Sequence, residues 1–217
     1  MDRRVICFGD SNTWGYDAEY GTRFSEKERW PCLLQQYLGR SFQVIEEGLP
    51  GRTGVVDDPL SEGLNGYKYL TPCLKSHAPV EILIIMLGTN DTKERFNLTA
   101  YNIAQGITRL ALKAKEVLTE INKNPFRILV VAPPPIGQGY KSTAIRDSMG
   151  KDCDLKSEEF PRYLQEMLAE NKMEFLDTKE HVTMNSIDYM HLNRDGHELL
   201  AKHNFKKLVN NQGGNIE

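Results

Sequence analysis

Residues 82–87 read Ile-Leu-Ile-Ile-Met-Leu and form the middle of a strand that we predict over residues 80–87. Every side chain of this run is apolar, so both faces of the strand have to be covered. Strands of that kind occupy the centre of parallel sheets, which α/β proteins cover with helices on both faces. The run therefore predicts an α/β fold around a parallel sheet.

Strand-like and helical patterns alternate along the rest of the chain. Short apolar runs predict four further strands, at residues 5–9, 42–45, 126–132 and 174–176. Helical spacing predicts helices at residues 28–38, 62–70 with a break at Pro72, 99–121, 159–171 and 194–209. This alternation builds βαβ units, which predict a three-layer α/β/α sandwich with a five-stranded parallel sheet. No repeat, linker or low-complexity segment interrupts it, so we expect one domain over residues 1–217.

Two segments lie outside the alternation. Residues 137–158 are polar and rich in turn formers, which favours a lid, an insertion or a subunit contact. The tail at residues 210–217 is expected to be frayed.

Composition and charge exclude several classes of partner. The chain carries 27 basic and 30 acidic residues, and a net charge of −3 would not attract a polyanion, so we expect no nucleic-acid partner. No stretch of about 18 apolar residues is present, and no signal peptide precedes the first strand, so we expect no membrane contact and a cytoplasmic location. The four cysteines form no C-x-x-C pair, which predicts reduced, packed thiols and no structural metal or disulfide.

The first strand ends in Gly9-Asp10-Ser11, and Ser11 is a candidate nucleophile. A serine in that place lies at the carboxyl edge of a sheet, where open α/β folds bind their ligands. A turn serine that caps the following helix would produce the same pattern.

Candidate functional residues also follow the other predicted strands. Gly51 follows the second, Asn90 the third, three prolines the fourth, and Asp188 and His191 lie in the loop after the fifth. Because the carboxyl ends of parallel strands share one edge, we expect these residues to line one crevice.

The spacing Asp188-x-x-His191 allows one short loop to hold a carboxylate against one imidazole nitrogen while the other nitrogen faces Ser11. His191 would then be a general base, although an ordinary loop histidine would look the same. Asp177 is the alternative acid, and His197 is a control among the remaining histidines.

Acyl transfer also needs hydrogen-bond donors for the oxyanion of the tetrahedral intermediate. The backbone N–H groups of Ser11 and Gly51 and the side-chain amide of Asn90 are the candidates. Gly51 could instead be a left-handed turn glycine and Asn90 an Asx-turn residue. Asp10 and Asp91 are interpreted as caps or loop braces.

Together these segments resemble the SGNH/GDSL hydrolase superfamily. Its blocks match Gly9-Asp10-Ser11, Gly51, Gly88-Thr89-Asn90-Asp91 and Asp188-x-x-His191. More narrowly, residues 7–11, 44–49, 84–91 and 132–135 look like the bacterial arylesterase and acyltransferase branch. The resemblance implies a flavodoxin-like strand order of 2-1-3-4-5, a serine esterase of short-chain esters, and no metal or cofactor.

The resemblance also implies a role for each matching residue. Ser11 is the nucleophile, His191 the base and Asp188 the orienting acid, while Ser11, Gly51 and Asn90 donate to the oxyanion. The implied substrate pocket is lined by Trp14, Asp10 and Pro134.

The predicted function is hydrolysis of a small-molecule ester through an acyl-serine, with acyl transfer to alcohols as an extension. The branch also implies a homo-oligomer. A carbohydrate acetylesterase, a thioesterase or a lysophospholipase would use the same catalytic residues. A flavodoxin-like binding module is the non-enzymatic alternative, although no glycine-rich phosphate loop follows a predicted strand.

Overall fold

A computed structural model of the chain describes residues 3–210. Its main sheet consists of β1 (Arg3–Gly9), β2 (Phe42–Gly48), β3 (Ile82–Met86), β4 (Arg127–Ala132) and β5 (Glu174–Asp177). All neighbouring strands are parallel, and their spatial order is β2-β1-β3-β4-β5. The predicted α/β fold and its strand order are therefore confirmed.

The central strand β3 is buried along its whole length and faces two separate cores. Leu83 and Ile85 belong to one apolar cluster, whereas Ile84 and Met86 belong to the other. Successive side chains of a strand point to opposite faces, so an unbroken apolar run requires a helical layer on each side.

Seven helices in the described part of the chain supply these two layers and the site loops. They are α1 (Ser11–Trp14), α2 (Trp30–Leu38), α3 (Gly66–Ser76), α4 (Ala100–Ile121), α5 (Arg146–Met149), α6 (Cys153–Glu170) and α7 (Arg194–Asn210). Helices α3, α4 and α6 contribute to the first cluster, and α2 and α7 to the second. Apart from these elements, Tyr16–Asp17 and Thr22–Arg23 form a small antiparallel ribbon.

Two of the predicted helices have wrong boundaries. The helix predicted over residues 62–70 is α3, which begins at Gly66 and continues through Pro72 instead of breaking there. Leu70 and Leu74 lie buried on either side of the proline, so their packing outweighs the one helical hydrogen bond that Pro72 cannot donate.

The helix predicted to begin at residue 159 is α6, which begins six residues earlier at Cys153. Cys153, Ser157 and Phe160 are buried at helical spacing, but the charged residues between them masked this apolar face in the sequence. The rest of the segment 137–158 forms a 3-10 helix (Gln138–Ser142) and α5.

The remaining expectations concern the termini and the bilayer. Asn210 ends α7, and residues 211–217 of the tail predicted to be frayed lie outside the described residues. Within residues 3–210 no helix combines the length and the apolar character needed to cross a bilayer.

Candidate active site

Three strands end at the same level and deliver the candidate residues to one edge of the sheet. Gly9 at the end of β1 pairs with Gly48 of β2 on one side and with Met86 of β3 on the other. A Cβ at Gly48 would lie 2.2 Å from the backbone nitrogen of Trp14, so this glycine allows α1 to pack directly against β2.

Ser11 begins α1 immediately after β1. The carboxylate of Asp10 caps this helix by accepting the backbone N–H of Asn12 at 2.9 Å. A Cβ at Gly9 would lie 2.0 Å from Thr13 Oγ1, so a side chain at that position would force α1 away from the strand. The short, capped helix thereby holds Ser11 at the edge of the sheet with 6% of its surface exposed.

Ser11, His191 and Asp188 form a continuous chain of hydrogen bonds. Ser11 Oγ lies 2.9 Å from His191 Nε2, and His191 Nδ1 lies 2.7 Å from Asp188 Oδ2. Burial alone would raise the pKa of Asp188, but the hydrogen bond and charge of His191 and nearby backbone N–H groups lower it to about 2. This arrangement can move a proton from the serine hydroxyl to the imidazole while a carboxylate stabilises the resulting cation.

The loop that carries His191 is held rigidly by its own side chains. Asp188 Oδ1 accepts the backbone N–H groups of Met190 and His191 at 3.0 Å each, and the side-chain amide of Asn185 at 2.9 Å. Asn185 also donates its backbone N–H and its side-chain amide to the carbonyl of His191. Tyr189 adopts a left-handed φ of 61°, which allows the tight turn between Asp188 and His191.

Gly51 lies in a loop that is tied to the end of β1. Leu49 donates its backbone N–H to the carbonyl of Gly9 at 3.1 Å, and Arg52 Nη1 donates to the same carbonyl at 3.1 Å. The guanidinium of Arg52 stacks 4.3 Å from the ring centroid of Phe8. Gly51 has a φ of 86°, in the left-handed region that favours a residue without a Cβ.

Asn90 begins a 3-10 turn (Asn90–Thr92) after β3, and its side-chain amide lies beside Asp10. The distance from Asn90 Nδ2 to Asp10 Oδ2 is 3.5 Å. The carboxylate of the next residue, Asp91, accepts the backbone N–H of Gly54 at 2.9 and 3.1 Å and so braces the loop that contains Gly51. Hydrogen bonds therefore connect the turns that carry all three candidate oxyanion donors.

The two buried carboxyls beside the site have raised pKa values. Burial raises the pKa of Asp10 to about 6 and that of Asp91 to about 7, from an ordinary value of 3.8. In the folded chain both groups therefore hold a proton at pH values where the unfolded chain has released it.

This difference in proton binding predicts how the variant Asp10→Asn alters the pH dependence of stability. The folded pKa is the raised one, so the stability contributed by Asp10 is complete below pH 4 and is lost as pH rises towards 6. The free energy of unfolding of the wild type, relative to Asp10→Asn, should fall by about 1.4 kcal/mol per pH unit across this window. Urea denaturation of both proteins at pH 4.5, 5.5 and 7.5 measures it, and a constant difference would contradict the raised pKa.

Other residues singled out in the sequence lie in different surroundings. Trp14 ends α1 half-buried, with the guanidinium of Arg23 5.0 Å from its ring centroid, and Pro134 is buried after β4. Asp177 is exposed and accepts the backbone N–H of Lys179, so the alternative acid is not the partner of His191. His197 is buried, and desolvation lowers its pKa to about 3, so it is neutral and accepts the backbone N–H of Trp30 at 3.3 Å.

Four side chains at the site were not singled out in the sequence. Arg52 and Asn185 hold the two loops described above, and the ring of Tyr16 lies 4.5 Å from that of His191. The side chain of Asn12 binds the main chain on both sides of His191. The proximity of Asn12 and Arg52 to the motif residues is the only signal of these roles in the sequence.

One group among residues 3–210 could in principle supply three ligands to a metal. Its members Glu47, Cys73 and His77 have their ligand atoms within 4.8 Å of one another. However, His77 Nε2 lies 2.8 Å from Glu47 Oε1, closer than the separation of about 3.4 Å between two ligands of one tetrahedral zinc. Burial and the carboxylate of Glu47 raise the pKa of the Cys73 thiol to about 12, so it remains protonated. Direct hydrogen bonding accounts for this group.

An α/β/α sandwich that presents hydrogen-bonded serine, histidine and aspartate at the carboxyl edge of its sheet has the architecture of a serine hydrolase. Residues 7–199 match the model of the GDSL-like lipase/acylhydrolase family, and the chain belongs to this family. The family resemblance expected from the sequence motifs is thus confirmed. No curated protein matched the chain.

Solved structures similar to this chain include esterases. The native aryl esterase of M. smegmatis is 33% identical with a TM-score of 0.88, and the match covers 96% of this chain and 99% of that one. Est24, a carbohydrate acetylesterase from Sinorhizobium meliloti, is also 33% identical with a TM-score of 0.85 and the same coverage. A lipase/acylhydrolase from Enterococcus faecalis shares the fold, with a TM-score of 0.66 at 19% identity over 96% of both chains.

Proposed function

We propose that the chain is a serine esterase that hydrolyses short-chain carboxylic esters through an acyl intermediate on Ser11. The observation that carries the proposal is the pair of hydrogen bonds, 2.9 and 2.7 Å long, from Ser11 through His191 to Asp188. These groups supply a nucleophile, a base within reach of its proton, and an anion that orients the base. Family membership and the similarity to esterases support the same class of reaction.

The reaction consists of two acyl transfers. Ser11 Oγ forms a bond to the ester carbonyl carbon while His191 Nε2 takes the hydroxyl proton, and the C=O electron pair moves onto the oxygen. Collapse of this intermediate restores C=O and breaks the bond to the alcohol oxygen, which leaves with the proton from His191. Water then attacks the acyl-serine in the same way, and the released Ser11 oxygen recovers its proton.

The oxyanion needs donors in place before the reaction begins. We assign the backbone N–H groups of Ser11 and Gly51 and the side-chain amide of Asn90 to this role. The bonds that tie the Gly51 loop to β1, and the contact between Asn90 and Asp10, support a rigid arrangement of these donors.

Replacing Asn90 with alanine should lower kcat for p-nitrophenyl acetate by about 10²–10³-fold. The lost amide stabilises charge that exists only in the transition state, so KM should change much less than kcat. Steady-state kinetics measure both parameters, and Asn124→Ala, at an exposed asparagine, is the control that should match the wild type. Equal kcat values for Asn90→Ala and the control would remove Asn90 from the oxyanion site.

A carbohydrate acetylesterase is the second candidate function. The similarity to Est24, at the same identity as to the aryl esterase, favours it. Both functions use the same mechanism and differ only in the alcohol part of the ester. Comparing kcat/KM for acetylated sugars with values for aryl and alkyl acetates separates them, and added alcohols reveal acyl transfer.

Labelling with a fluorophosphonate probe tests the proposed mechanism on the wild-type chain. The probe should react once, and peptide mass spectrometry should locate the adduct on Ser11, in parallel with loss of p-nitrophenyl acetate hydrolysis. Hydrolysis without an adduct on Ser11 would reject it as the nucleophile. A folded chain with neither hydrolysis nor an adduct would refute the esterase proposal.

A further inference from the structure

Asn12 is a buried side chain next to the nucleophile that the proposed mechanism leaves without a role. Only 1% of its surface is exposed, so its amide has to find partners within the protein. Its Nδ2 donates to the carbonyl of Met190 at 3.2 Å, and its Oδ1 accepts the backbone N–H of Leu192 at 2.9 Å. Both partners are main-chain groups, and they lie immediately before and after His191.

These two bonds connect the helix of the nucleophile to the loop of the base. Asn12 follows Ser11 in α1, whereas Met190 and Leu192 lie about 180 residues further along the chain. The distance from Ser11 Oγ to His191 Nε2 therefore depends on a connection made one residue away from each of the two groups. A side chain that fixes both flanks of His191 restricts the movement of its ring relative to the serine.

The loop also has anchors that do not involve Asn12. The carbonyl of Tyr189 accepts the backbone N–H of Gly137 at 2.8 Å, and Met190 packs in an apolar cluster with Tyr140. Leu192 is buried in the core between the sheet and α7. Loss of the Asn12 bonds should therefore leave the loop folded but should free it to shift relative to α1.

The chemistry of the amide explains why this position carries asparagine. An amide donates and accepts at the same time, as the Met190 carbonyl and the Leu192 N–H require. An ionised aspartate could accept from Leu192 but could not donate to Met190, and a leucine could do neither.

We propose that Asn12 is a positioning residue. It sets the distance between Ser11 and His191 by forming hydrogen bonds with the main chain on both sides of His191. The inference rests on the proposed esterase function. Asn12 acts through His191 and has no contact with the reacting atoms in the proposed mechanism. Its removal should impair the proton transfer and leave binding of the ester largely unchanged.

The first test is the variant Asn12→Leu, whose side chain has four heavy atoms branched in the same way, is larger, and lacks both hydrogen bonds. It should lower kcat for p-nitrophenyl acetate by about 10–100-fold with KM within about twofold, because displacement of a reacting group by about 1 Å can cost 10²-fold. Thr13→Val is the matched control, since Thr13 lies in the same helix, is fully buried and has a hydroxyl without a hydrogen-bond partner. The control should keep the wild-type kcat.

Proton NMR tests whether the hydrogen bonds of Asn12 hold His191 in place, without depending on turnover. The Nδ1 proton of His191, held by Asp188 at 2.7 Å and shielded from solvent, should give a resolved downfield resonance. That resonance should be present in the wild type and in Thr13→Val, and broadened or shifted in Asn12→Leu. A purely structural role of Asn12 would lower the melting temperature and leave this resonance and kcat unchanged in the folded fraction.

The outcomes separate this inference from the proposed function. Wild-type kcat and an unchanged His191 resonance in Asn12→Leu would overturn the role of Asn12 while leaving the esterase intact. If the wild type neither hydrolyses esters nor reacts with the fluorophosphonate, the esterase proposal fails, and the NMR comparison still decides whether Asn12 positions His191. The variant Asn12→Asp, which keeps the shape and the acceptor, should also lose activity because it lacks the donor to Met190.

Discussion

Replacing Ser11 with alanine is expected to lower kcat for p-nitrophenyl acetate hydrolysis by about 10⁶-fold. Without the Oγ atom no acyl-enzyme can form, and His191 has no nucleophile to activate. The oxyanion donors and the binding surface remain, so a small residual rate above water is consistent with the mechanism. Steady-state kinetics with freshly purified protein measure the loss, and the fluorophosphonate adduct should disappear with it.

The variant should fold normally, because Ser11 contributes a single oxygen at the edge of the sheet and His191 keeps its bond to Asp188. Equal melting temperatures of variant and wild type would establish this. Ser41→Ala is the matched control, since Ser41 is exposed and immediately precedes β2, at the opposite edge of the sheet. Wild-type activity in Ser11→Ala would mean that another group is the nucleophile, and the two-step mechanism would have to be abandoned.

The sheet was predictable because its sequence signals are local. The apolar run at β3 requires cover on two faces, and the chain places polar loops after each strand, so both the fold class and the shared edge follow from short segments. The helix boundaries at α3 and α6 were not predictable in this way. Packing of Leu70 and Leu74 against the core allows α3 to continue through Pro72, and such packing is visible only in the folded chain.

In the candidate site, too, some residues could be predicted from local sequence and others could not. Ser11 could be named because it directly follows the first strand, and Asp188 and His191 because of their spacing in the loop after the last strand. The structure brings the three side chains within hydrogen-bond distance. The roles of Asn12 and Asn185 depend on which carbonyls and N–H groups meet them in space. No spacing rule for single residues predicts contacts of that kind across the chain.

Several expectations from the sequence stay predictions. They include the homo-oligomer, the cytoplasmic location and the single domain. The assignment of Trp14, Asp10 and Pro134 to the substrate pocket also stays a prediction.

Replacing Asp188 with asparagine should lower kcat by about 10⁴-fold, because the new side chain would hold His191 in the wrong tautomer. Asp188 Oδ1 accepts two backbone N–H groups, and Oδ2 accepts from His191 Nδ1. In Asp188→Asn the two backbone donors would retain the amide oxygen, so the NH₂ group would face His191 Nδ1. That nitrogen would then have to accept a hydrogen bond, and the ring proton would move to Nε2, which could no longer take the proton of Ser11.

Kinetics with p-nitrophenyl acetate measure the loss, and Asp177→Asn, at the exposed alternative acid, is the control that should keep wild-type kcat. A large loss in Asp177→Asn with none in Asp188→Asn would reverse the assignment of the acid.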